Sequence, residues 1–130
     1  MIAIVGTRGG SFAVDLECDE VEPWDEPPDP PPAVMLNLPR VVAAAASGAA
    51  VYAVVDAKPP LLVSHDAGST WRAAGHGLPA GRAIAVSQAN PDDAVFAARN
   101  RLYTTHDGGR FWTALTAELP EIESVALREG

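Results

Sequence analysis

The chain has 130 residues, nine Lys and Arg against 17 Asp and Glu, and a formal net charge of −8 at pH 7. That length bounds it to one domain, and 48% hydrophobic content is ordinary for a folded one. The acidic balance excludes nucleic acid as the expected partner, the single Cys18 excludes an intrachain disulfide, and no apolar run approaches the ~20 residues of a membrane span.

From the N-terminus, Ile2-Ala3-Ile4-Val5-Gly6 reads as one strand and Ser11-Phe12-Ala13-Val14 as the next, with room for another from Val21 to Trp24. Residues 23–32 hold six prolines, and 25–35 read as a stiff extended connector. Eight short apolar runs follow, bounded by turn residues: 41–46, 50–55, 61–65 and 70–74, then 83–87, 94–98, 102–106 and 111–115. Asn90-Pro91-Asp92-Asp93 has strong turn chemistry. The alanines from Ala43 to Ala46 favour a helix by propensity. The repeat register overrules this, because Val42-Ala43-Ala44-Ala45 aligns with the strand residues Ala83-Ile84-Ala85-Val86. Val125-Ala126-Leu127 is the last apolar run.

Residues 2–5 are too short for a signal-peptide core and lack a basic flank, so cytoplasmic residence is expected. Heavy use of Ala, Pro, Gly and Arg suggests a GC-rich bacterial genome. Nothing near Cys18 marks a depressed pKa, which predicts a small buried thiol rather than a reactive one.

Ser64-His65-Asp66-Ala67-Gly68-Ser69-Thr70-Trp71 recurs as Thr105-His106-Asp107-Gly108-Gly109-Arg110-Phe111-Trp112, 41 residues later. The pairs Leu78-Pro79 and Leu119-Pro120 keep the same spacing, the mark of a repeat architecture. Ser/Thr-x-Asp-x-Gly-x-x-Trp resembles the Asp box, or BNR repeat, of sialidases, sortilin-type receptors, photosystem assembly factors and some glycosidases. The resemblance covers about residues 36–120. It implies a β-propeller of four-stranded blades, with the box joining the third and fourth strands on the side away from the usual ligand site. In such a turn Gly68 and Gly108 or Gly109 supply positive φ, and Asp66 and Asp107 accept the turn's own N–H groups. Ser64 and Thr105 add hydroxyls, and Trp71 and Trp112 bury against the blade. These residues are expected to be structural. A third box has decayed: Asp19 lies five residues before Trp24, but Val21 stands where Gly68 does.

The expected organisation is therefore one half-propeller domain over 1–130. Residues 1–24 supply strands two to four of a split blade, 36–79 and 80–120 are full blades, and 121–130 supply the split blade's innermost strand. Three blades do not close a ring, and an open stack leaves apolar faces in water. A homodimer with exchange of the terminal strands gives six blades. The start at Met1 and the matched ends favour this over a fragment of a longer propeller.

Propeller ligands usually bind where strand-two-to-three loops and inter-blade crossovers meet at the channel mouth. Six of the nine basic residues fall in those loops: Arg8, Arg40, Lys58, Arg82, Arg99 and Arg101. Guanidiniums in a ring can hold a carboxylate, sulfate or phosphate; the alternative is that these are solvated loop charges paired with Asp56, Glu121 and Glu123. The expected function is non-catalytic binding of an anionic or carbohydrate ligand at that mouth. A glycan hydrolase using Asp56, Glu121 or Glu123, and an assembly factor with a protein partner, are the alternatives. The sialidase residues have no counterpart here: Tyr52 and Tyr103 fall in strands, not in mouth loops. His65 and His106 are expected as exposed turn residues, and His76 stands alone in a crossover. No metal or cofactor is called for.

Overall fold

A computed structural model describes residues 1–30, 34, 36 and 38–128. The rest of the Pro-rich connector, Glu129 and Gly130 lie outside the described residues. Twelve strands and no helix run through the described residues. They are β1 (Ile2–Thr7), β2 (Gly10–Asp15), β3 (Glu20–Trp24), β4 (Val41–Ser47), β5 (Ala50–Val55) and β6 (Leu61–Ser64), followed by β7 (Arg72–Ala74), β8 (Ala83–Val86), β9 (Ala94–Ala97), β10 (Leu102–Thr105), β11 (Thr113–Ala114) and β12 (Ile122–Arg128). The alanine run at 43–46 is indeed extended: it pairs with β5, where every side chain is buried. Tertiary pairing outweighs a propensity worth under ~1 kcal/mol per residue.

The strands form three four-stranded antiparallel sheets, arranged like blades. The first full sheet is β4-β5-β6-β7, the second is β8-β9-β10-β11, and the split sheet is β12-β1-β2-β3. The pairing expected between two chains is thus made within one. β12 lies on β1 from Ile2–Arg128 to Thr7–Ile122, joining the two ends of the chain in one sheet.

Two cores hold the sheets together, with β8 and β9 serving both. Ile84, Val86, Ala94, Phe96 and Ala98 face Ala50, Tyr52, Val54, Leu61 and Val63 of the first full sheet. Ala83, Ala85, Val95 and Ala97 face Ala3, Val5, Val14, Ile122 and Val125 of the split sheet. Alternation along a strand sends successive side chains to opposite faces, so one short run fills two cores. Phe96 sets its ring edge-on to Tyr103 and Trp112, with centroids 6.1 and 6.0 Å away.

Two expectations need revision. The outer faces of the stack do not stand open to water: Val51, Ala53 and Val55 of the first full sheet, and Ile4 and Ala13 of the split sheet, are 6% exposed or less. What differs instead is the innermost strands. All four residues of β8 are buried, whereas their repeat equivalents Val42 to Ala45 are exposed or half-buried, and Val42 is 49% exposed. The fourth strands are also shorter than expected, β7 beginning at Arg72 and β11 at Thr113. The N–H groups of Thr70 and Phe111 donate to box carboxylates and so cannot join a ladder.

Candidate functional site

The two box turns are built alike. The Ser64 hydroxyl donates to Asp66 Oδ1 at 2.7 Å and accepts the Gly68 N–H at 2.8 Å. Asp66 also takes the Thr70 N–H at 2.8 Å and the Thr70 hydroxyl. These donors, the Thr70 hydroxyl foremost, pull its pKa down to about 2. In the second box Thr105 donates to Asp107 and accepts from the Gly109 N–H, while Arg110 and Phe111 N–H groups donate to the Asp107 carboxylate. That carboxyl is also held below its ordinary value, the Phe111 N–H being the largest cause. Gly68 and Gly109 have φ of 91° and 93°, a region a side chain rarely adopts. Trp112 packs on the core and donates its indole N–H to Gly109 O at 2.9 Å, and Trp71 is half-buried over Gly68. Asp66 spends both carboxylate oxygens on its own turn, and Asp107 spends Oδ1 on three donors of its turn.

The decayed third box works differently. Asp15, not Asp19, holds the turn between β2 and β3, accepting the Glu17 and Cys18 N–H groups. Asp19 adopts φ 57° and reaches across to the neighbouring sheet, where its Oδ2 accepts the Thr116 N–H and hydroxyl at 2.7 and 2.6 Å. The Asp at the start of a five-residue turn was the available signal for Asp15. Cys18 is exposed in this turn rather than buried, because the chain reverses there beyond the sheet edge. The neighbouring Asp15 charge pushes its thiol pKa up, which leaves it a poor nucleophile.

Of the six loop cations expected at a channel mouth, three come together and three do not. Glu121, in the crossover between β11 and β12, is only 18% exposed and takes Arg8, Arg82 and Arg99 on one carboxylate. Arg8 Nε contacts Oε2, while Arg82 Nη2 and Arg99 Nε lie 3.3 and 3.4 Å from Oε1. The loops are fixed by backbone: Arg8 N–H donates to Glu121 O, Arg82 N–H to Ala97 O, and Ile122 N–H to Arg99 O. Arg8 and Arg99 remain 73% and 76% exposed, so most of each guanidinium fork faces water. Arg101 pairs instead with Glu118 at 3.0 Å. Arg40 sits at φ 59° in the turn before β4, its carbonyl accepting the Asp56 N–H. Lys58 lines a separate open depression of about 840 Å³ with Asp56, Pro59, His76 and Leu78.

The carboxylates considered for hydrolysis are not paired. Glu121 is committed to its arginines, Asp56 is exposed in the β5–β6 loop, and Glu123 is exposed on β12. Tyr52 is fully buried and donates to Pro91 O at 2.7 Å; burial, and after it the nearby Asp92 charge, pushes its phenol up to about 12. Tyr103 packs at the core margin. His65 and His106 are exposed in the box turns, beside Arg72 at 3.3 Å and Asp93 at 2.9 Å. Among the described residues no group of three His, Cys, Asp or Glu could hold a metal ion, and no helix is long and apolar enough to cross a membrane. No protein-family model and no curated protein matches the chain.

Proposed function

We propose that the chain is half of an Asp-box propeller, closed with a second copy into six blades, and that the mouth of this ring binds a small anion without transforming it. The convergence of Arg8, Arg82 and Arg99 on Glu121 carries the binding reading. Three guanidiniums against one carboxylate leave an excess of two positive charges, in a chain whose net charge is −8. Outward-facing forks on Arg8 and Arg99 offer paired N–H donors to a carboxylate or phosphate.

Closure draws its support from the innermost strands. β8 has a sheet on either side and is wholly buried, while Val41 and Val42 of β4 are 37% and 49% exposed. A ring supplies β4 and β12 with the second neighbour β8 already has. The connector 25–40 is the one covalent link between the β1–β3 unit and β4. Two copies that exchange this unit keep every β1–β12 hydrogen bond, the usual route to a swapped dimer.

Calorimetric titration of inorganic pyrophosphate and of citrate at low salt tests the binding. The wild type is expected to bind, and Arg82→Ala/Arg99→Ala to bind about tenfold or more weakly through loss of charge-assisted bonds. Added salt weakens both, as screening requires. A wild type silent at millimolar ligand, or a double variant that binds equally well, removes the reading.

A further inference from the structure

The seam where the two ends of the chain meet runs through the mouth site. β1 and β12 pair regularly up to Gly6–Ser124, and the register then slips before Thr7–Ile122. Such a bulge bends a strand and re-aims the residues beyond it, and the next residue is Arg8. Side chains press on the two glycines there: a Cβ on Gly6 would lie 2.6 Å from Ser124 Oγ, and one on Gly9 2.9 Å from Pro120 Cγ. Arg8 N–H donates to Glu121 O at 3.0 Å, and its guanidinium meets the Glu121 carboxylate. Arg82 and Arg99 reach that same carboxylate from the second full sheet.

We propose that a small oxyanion with two or more charged groups, such as a diphosphate or a polycarboxylate, bridges Arg8 to Arg82 and Arg99 and so clamps β12 onto β1. The inference rests on the anion-binding reading above. Arg8 belongs to the N-terminal unit, whereas Arg82 and Arg99 belong to the part of the chain that continues into β12. No covalent bond joins β1 to β12, so donors from both sides face one ligand only while the seam is closed. Glu121 already occupies the centre of the cluster with one carboxylate. A ligand therefore uses the outward donors of Arg8 and Arg99, and spanning two forks needs two anionic groups. A ligand that binds only the closed seam must stabilise it by mass action, and closure must in turn tighten binding by the same factor. The clamp acts alike whether β12 lies on its own β1 or on that of a second copy.

Amide hydrogen exchange of the full chain, with and without inorganic pyrophosphate, tests this. At ten times its Kd, the ligand is expected to slow exchange of the Val125, Ala126 and Leu127 amides about tenfold. Amides of β5 and β6 in the first full sheet should not respond beyond any global stabilisation. Arg8→Gln, a change in an exposed loop, should abolish the protection while β1 and β12 stay paired. Calorimetric binding with no change at β12, or equal protection in Arg8→Gln, overturns the clamp and leaves the anion site standing. Absence of binding in the wild type overturns both.

Discussion

The residue that most directly reports the state of a turn is Asp66. Its folded pKa of about 2 lies below the ~3.9 of an unfolded Asp, so the folded chain holds that proton more weakly. Protonation therefore favours unfolding. The contribution is whole above about pH 4 and is lost as pH falls from 4 towards 2. Asp66→Asn keeps one acceptor for Thr70 but carries no titrating charge. It should melt below the wild type at neutral pH and lose less of its Tm between pH 4 and pH 2. Thermal melts across that range check it, and a variant with an acid limb as steep as the wild type contradicts the assignment. Asp19 shows how much of this logic a motif fails to convey. Its spacing to Trp24 suggests a box, yet without a glycine at Val21 the turn tightens, Asp15 takes over its N–H groups, and Asp19 serves Thr116 instead.

Among the elements, the crossover from β7 to β8 leaves no room for a side chain at Gly81. A Cβ on Gly81 would stand 2.6 Å from Phe96 Cε2 and Cζ and from Val54 Cγ1, atoms of β9 and β5. Gly81→Ala must push apart two sheets at their shared core. It should cost about 1–3 kcal/mol in urea unfolding, the usual range for overpacking. A variant as stable as the wild type would show the core there to be looser than described. Second and third strands were legible in the sequence because their apolar runs are bounded by polar, Gly or Pro turn residues. The fourth strands were legible in place but not in extent, since the side chain of a turn residue decides which N–H groups reach the ladder. Of the six loop cations, position and pairing with acidic loop residues were legible, but the convergence of three on one carboxylate was not. Arg8, Arg82 and Arg99 differ from Arg40, Lys58 and Arg101 only in their distance from Glu121, and that distance is set by how three loops fold together.

At the scale of the whole molecule, the innermost strand of the middle sheet lies between two others, and the innermost strands of its neighbours do not. β8 is buried throughout, β4 is half-exposed, and the two chain ends meet in one sheet without a covalent joint. A second copy supplies the missing neighbours in the proposed ring, brings two arginine clusters to one mouth, and makes assembly depend on the same strands that frame the site. The mass of the chain in solution, by light scattering after size exclusion across a range of concentrations, tests this most directly. The ring predicts a stable mass of about 27 kDa, twice the 13.5 kDa of one chain. A species that stays at 13.5 kDa at every concentration would contradict it.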